Sequence, residues 1–68
     1  MKHGVLIFDN ESDRYDILFD TNERYGGLHC GECLEVFVNN EWKSTRIEYG
    51  ESWYLVGIDG LDGLQARI

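Results

Sequence analysis

Apolar and polar residues alternate along most of this chain with a period of two, the mark of half-buried strands, and nowhere with the 3.6 period of an amphipathic helix. Val5 to Asp9 predicts a first strand. Tyr15, Ile17 and Phe19, alternating with Asp16 and Leu18, predict a second. Between them lies Asn10-Glu11-Ser12-Asp13, a polar turn whose short side chains can bond their own backbone, so the pair is expected as a hairpin. From Cys33 to Val38 the chain alternates again, with Leu34, Val36 and Val38 on one face and Cys33, Glu35 and Phe37 on the other. Asn39-Asn40 suits a two-residue turn, because Asn tolerates positive φ. Trp42 to Tyr49 follows as a strand, with Lys43, Thr45, Ile47 and Tyr49 opposite Trp42, Ser44, Arg46 and Glu48. Gly50-Glu51-Ser52 turns the chain into Trp53–Ile58, where aromatic and branched residues strongly favour a strand that points Trp53 and Leu55 inward. Residues 59–63 are too short for a helix and suit a single 3₁₀ turn. Gln65 to Ile68 makes a short last strand.

One stretch breaks the rhythm. Asp20 to Glu32 is a long connection containing Gly26-Gly27 and His29-Cys30-Gly31, and connections of this length are functional or pinned. Short strands, tight turns and one long loop predict an all-β chain folded as a small antiparallel barrel. The order of elements is that of an SH3-like barrel of five to six strands. With 68 residues there is room for one domain, 1–68, and one core. In a chain this short, burial and ordering nearly cancel, so a staple is expected: a metal, a disulfide or a partner.

Composition narrows the class. Hydrophobic residues make up 43% and aromatics 13%, too rich for a disordered segment. No apolar run exceeds four residues, which excludes a membrane-spanning helix. The start Met-Lys-His-Gly lacks the pattern of a secretory signal, which points to the cytoplasm. There, two cysteines are expected as thiols or metal ligands, not as a disulfide. Thirteen acids against six bases give a net charge of −7. Phosphate contacts need Lys and Arg, so direct nucleic-acid binding is disfavoured. A basic protein surface is permitted, and the same charge also serves plain solubility. Six acids (Asp9, Glu11, Asp13, Asp16, Asp20, Glu23) fall within fifteen residues whose only base is Arg14. Strand positions alternate between faces, so the turn and loop members Glu11, Asp13, Asp20 and Glu23 are the candidates for touching one partner.

His29-Cys30-Gly31-Glu32-Cys33 carries the sharpest local chemistry. A C-x₂-C turn lets two thiolates meet one tetrahedral Zn²⁺, with His29 or His3 as further ligands. Four protein ligands would make such a zinc structural, closed to water and substrate. A redox pair is the weaker reading, because no helix follows to lower a thiol pKa. The third reading makes Cys33 a small buried hydrophobe and Cys30 incidental. No G-x-S-x-G, Walker or dinucleotide pattern is present, and two histidines are few, so no enzyme is expected. The aromatics can fill the core or line a groove for a partner. Tyr25, in the long loop, and Trp42, just after a turn, are the candidates for exposure.

Tyr25–Val36, Glu41–Glu48, Trp53–Val56 and the closing Leu61–Ile68 together resemble a family of very short β proteins encoded by phages and mobile elements of Gram-positive bacteria. Leu28-His29-Cys30-Gly31-Glu32-Cys33 and Trp53-Tyr54-Leu55-Val56 carry the likeness most specifically. The resemblance brings no catalytic residues. It implies a context in which small acidic proteins inhibit host defence, including anti-CRISPR proteins that act on a Cas9-type nuclease. The expectation is therefore a non-enzymatic, stoichiometric inhibitor with a basic protein partner. The alternative is an SH3-like adaptor or regulatory module of such an element without an anti-defence role.

Overall fold

The alternating segments become seven strands and no helix in the computed structural model, which describes all 68 residues. They are β1 (His3–Asp9), β2 (Arg14–Asp20), β3 (Glu23–Arg24), β4 (Cys33–Val38), β5 (Glu41–Tyr49), β6 (Trp53–Leu55) and β7 (Gln65–Arg67). Every pairing is antiparallel, in the order β3-β2-β1-β7-β4-β5-β6. The end strands β3 and β6 do not pair with each other, so the ladder is an open, seven-stranded sheet without the closure expected of a barrel. Three further differences from the sequence reading are local. The long connection contributes a two-residue strand of its own, the strand expected over Trp53–Ile58 ends at Leu55 where Val56-Gly57 turns, and residues 59–63 form bends and turns in place of a 3₁₀ helix.

The hairpins follow their turn chemistry. Asn39 and Asn40 both have positive φ (52° and 66°), which a two-residue turn of the primed type requires. The last strand is inserted between the two halves of the sheet: Ala66 lies opposite Gly4 of β1 and Val36 of β4. A small residue suits that crowded position, and Ala66 is fully buried. Beside it, the backbones of Lys2 and Ile68 exchange two hydrogen bonds (2.8 and 3.0 Å), which fastens the two chain ends together.

The core consists of Leu6, Ile17, Leu28, Leu34, Val36, Ile47, Leu55 and Ala66. Alternation predicted the faces of β4 and β5 as they are found, with Leu34, Val36, Thr45 and Ile47 buried. It missed Leu28, which comes from the long connection and is fully buried.

That connection is pinned by one carboxylate. Asp16 Oδ1 accepts from the backbone N–H groups of Ile17 (2.8 Å), Gly26 (2.9 Å) and Gly27 (2.9 Å). Gly26 and Gly27 have φ of +113° and +97°, a region in which a side chain would be strained, and this is how two successive N–H groups turn toward one oxygen. Tyr25 N–H then donates to Ile17 O and Leu28 N–H to Tyr15 O, which carries Leu28 into the core. Farther along, Gly31 N–H donates to Ile47 O and Ile47 N–H to Glu32 O, extending the β4–β5 ladder. The connection thus ties β2 to β5.

Asp16→Ala leaves three N–H groups without their acceptor. A hydrogen bond to a charged group is worth about 1.5–3 kcal/mol, so the substitution is expected to destabilise by about 2–4 kcal/mol. Thermal unfolding followed by circular dichroism checks this, at about 4–8 °C per kcal/mol for a domain of this size. Asp16→Asn, which keeps an acceptor oxygen, is expected to lose less.

Candidate functional site

The largest concavity is an open groove of about 700 Å³. Three segments build it. The end of the β1–β2 hairpin supplies Phe8, Asp13 and Tyr15; the β5–β6 turn supplies Tyr49, Trp53 and Tyr54; the chain after β6 supplies Ile58, Leu61 and Asp62. The strands explain the placement. β1 and β5 each end at an aromatic position, and the tight turns bring the next strand's ring back beside it. Phe8 meets Tyr15 edge to face (centroids 5.1 Å apart, 63° between planes), and Tyr49 meets Trp53 likewise (5.0 Å, 71°). Two hydrogen bonds lock the segments together. Trp53 Nε1–H donates to Asp13 O (3.2 Å), and the Tyr15 hydroxyl donates to Asp62 Oδ1. The walls are rigid, yet Tyr49 is 56% exposed and Tyr54 48%, so large apolar area faces solvent.

The groove is acidic. None of its lining residues is basic, while Asp13 and Asp62 line it and Glu51 and Asp59 sit in the chain beside lining residues Ser52, Ile58 and Gly60. Four of the chain's six Lys and Arg residues pair elsewhere: Lys2 with Glu23, Lys43 with Glu41, Arg46 with Glu48 and Arg67 with Glu35. The four acids around the groove enter none of these pairs. The one base beside the groove, Arg14, lines the adjoining cavity with Asp13, Tyr49 and Trp53 and donates to Leu28 O (3.3 Å), so acids outnumber bases there. Tyr15 responds to its setting: burial, and then the hydrogen bond to Asp62, push its hydroxyl up to about 12. Asp9, at the entrance to the hairpin turn, is held below the usual carboxylate range by the hydroxyl of Ser12 and the N–H of Glu11.

Of the acids singled out in the sequence, Asp13 alone lines this groove. Glu11 is exposed in the hairpin turn; Asp20 accepts from its neighbour Thr21; Glu23 is engaged by Lys2, whose ammonium also lies 5.0 Å from the centre of the Phe19 ring. Asp16, counted with them by its charge, is a structural pin. Tyr25 is 40% exposed but donates to Glu32, which raises its hydroxyl pKa. Trp42 is half-buried on another part of the sheet, packed edge-on against His3 (5.4 Å) and Phe37 (5.2 Å) and under the Arg67 guanidinium (4.2 Å). Trp53 is half-buried and packs against the core as alternation predicts, and its ring also lines the groove. Phe8, Tyr15, Tyr49, Tyr54 and Asp62 were not singled out as partner-binding. The available signal was that most of these rings flank turns.

The metal candidates are dispersed. Cys30 and Cys33 are both free and exposed, so the buried-thiol reading does not hold. They lie on a turn in which Glu32 N–H donates to His29 O and Gly31, at φ +87°, makes the bend. The Glu32 carboxylate is occupied within that turn: one oxygen takes the N–H of His29 and the other the hydroxyl of Tyr25. His3 is held against Trp42. No three His, Cys, Asp or Glu side chains converge in an arrangement that could hold a metal ion. No helix is long and apolar enough to cross a membrane.

A family model described as a domain of unknown function, DUF5348, matches residues 4–68. A crystal structure of a protein from Ruminococcus gnavus, a structural-genomics target, is 53% identical and covers 97% of this chain and 99% of its own, with a TM-score of 0.91. No curated protein matches.

The Tyr15–Asp62 link has a measurable signature. In a spectrophotometric titration Tyr15 is expected to ionise at about 12, with Asp62→Asn bringing it down. The folded hydroxyl lies above its unfolded value of 10. Its contribution to stability is therefore complete below pH 10 and is lost as pH rises toward 12.

Proposed function

The chain belongs to the DUF5348 family, and we propose that it works as a non-enzymatic module that binds a basic protein surface through the aromatic groove. One observation carries the reading: exposed Tyr49, Tyr54 and Phe8 share a rigid groove with carboxylates that have no cationic partner in the chain. Aromatic rings of this kind are frequent binding hot spots. Surrounding charge steers a partner of opposite sign toward them. Area is sufficient: a standard interface of about 800 Å² per partner would cover nearly a fifth of the 4442 Å² surface.

The finer readings are proposals of the same kind. Aromatic residues gathered beside hairpin turns support an SH3-like ancestry for the open sheet. A phage or mobile-element origin, action in the host cytoplasm and inhibition of a Cas9-type nuclease rest on the sequence resemblance together with the acidic groove. Such a nuclease has basic channels for guide and target, which makes it the first partner to assay. An adaptor role without anti-defence activity predicts the same groove chemistry with a different partner. Zinc on Cys30 and Cys33 would need donors from a second chain, because one chain brings no third ligand to them. Elemental analysis of protein purified without chelator is then expected to give half an equivalent per chain, and none after Cys30→Ser with Cys33→Ser.

The test of function is affinity capture of the tagged chain from a bacterial lysate, with identification of what is bound, alongside a Cas9 cleavage assay. Tyr49→Ala with Tyr54→Ala is expected to abolish capture without unfolding the domain, since both rings are about half exposed. Reversing Asp13, Glu51 and Asp59, which line or flank the groove, to Lys is expected to slow association several-fold at low salt. The effect should be smaller at 1 M, where the Debye length is about 3 Å. Unchanged binding at both salt concentrations would reduce the charge of −7 to a solubility device.

A further inference from the structure

We infer that the groove recognises an arginine side chain of an extended partner segment, its guanidinium held between the Asp13 and Asp62 carboxylates and the faces of Tyr49 and Trp53. This rests on the protein-binding reading above and names what that surface reads.

The site is built for a planar cation. Asp13 takes part in no ion pair of the chain: its neighbour Arg14, which shares a cavity with Asp13, Tyr49 and Trp53, donates to Leu28 O instead, and the Asp13 carbonyl accepts from Trp53 Nε1–H. Asp62 spends one oxygen on the Tyr15 hydroxyl and keeps the other. Both acids therefore sit on segments tied down by hydrogen bonds before any partner arrives, which lowers the ordering cost of binding. Trp53 and Tyr49 are fixed edge to face, 5.0 Å between centroids, and Tyr49 remains 56% exposed. Guanidinium satisfies both features at once: it stacks on aromatic faces and forks onto carboxylates, and it is less strongly hydrated than an ammonium. Lysine can use the charge but not the fork or the plane. A phosphate or a nucleic-acid backbone is opposed by the carboxylates lining and flanking the groove.

The rest of the groove suits apolar neighbours of that arginine. Phe8, Ile58 and Leu61 also line it, and they suit the apolar side chains of an extended segment.

The test is an NMR titration of the isotope-labelled chain at low salt with N-acetyl-arginine methylamide, its lysine counterpart, and the neutral isostere N-acetyl-citrulline methylamide. Arginine is expected to shift the indole N–H of Trp53 and the backbone amides of Asp13, Tyr49 and Asp62, lysine to shift them less, and citrulline not at all. Asp13→Asn with Asp62→Asn is expected to weaken arginine binding about tenfold, as loss of a charge-assisted pair would, while Glu41→Gln leaves it unchanged. Thermal unfolding of the double variant confirms that it is folded. Equal shifts with citrulline, or shifts centred on Glu23 and Asp20, overturn the inference. So does an absence of shifts with arginine. If arginine does not bind while the captured partner still depends on Tyr49 and Tyr54, the arginine assignment falls and the protein-binding reading stands. If the captured partner is indifferent to those tyrosines, that reading falls on its own account.

Discussion

A single buried carboxylate organises the part of this molecule that its strands do not. Asp16 lies in β2 with its side chain among apolar neighbours, where an unsatisfied charge would be prohibitive. The cost is met by three backbone N–H groups, two of them from the Gly26-Gly27 pair. The consequence reaches well beyond the turn. Once residues 26 and 27 are held, Leu28 drops into the core, the chain reaches β5 through Gly31 and Glu32, and β4 begins in register with Arg46. In a sheet that never closes through its strands, this one interaction does much of what closure would do.

The groove is a by-product of the same economy. A domain this small cannot hide nine aromatic rings, and its turns place the surplus together. Phe8 and Tyr15 flank the β1–β2 turn and Tyr49 and Trp53 the β5–β6 turn, so two edge-to-face pairs line one concavity. The bases, meanwhile, sit where strand register puts them beside acids: Arg67 with Glu35 across β7 and β4, and Arg46 and Lys43 with Glu48 and Glu41 along one strand. The charge left over belongs to turn residues, and the turns are where the rings are.

Much of the sheet was legible because alternation is a direct statement about faces. Leu34, Val36, Thr45 and Ile47 point inward as a period of two requires, and Asn39-Asn40 turns as Asn does. What alternation cannot express is pairing between distant segments. The insertion of β7 between β1 and β4 depends on Gly4, Ala66 and Val36 meeting, which no local pattern signals. The same limit hid Leu28 and the role of Asp16, which looked like one more member of an acidic run. It also misdirected the aromatic reading. Trp42 looked exposed because it follows a turn, but His3, Phe37 and Arg67 close over it from three other strands. Trp53 packs against the core as alternation requires, and alternation does not show that it also lines a groove. The C-x₂-C spacing was real as a turn, and its thiols are exposed. A metal site needs further donors brought from afar, and the fold takes His3 elsewhere.

The doubly bonded ends at Lys2 and Ile68 give the domain an unusual freedom of connectivity. Any polypeptide joined to either end leaves from one spot, beside Met1 and Ile68, whose surroundings share no residue with the aromatic groove. The two ends could be bridged by a short linker at little loop-closure cost and the ring reopened at the exposed Asn39-Asn40 turn, a circular permutation that would move the β1–β2 segment of the groove from first to last in the chain and leave all three segments uncut. The domain can likewise be inserted whole into a surface loop of another protein as a side-mounted unit, attached through residues that do not line the groove.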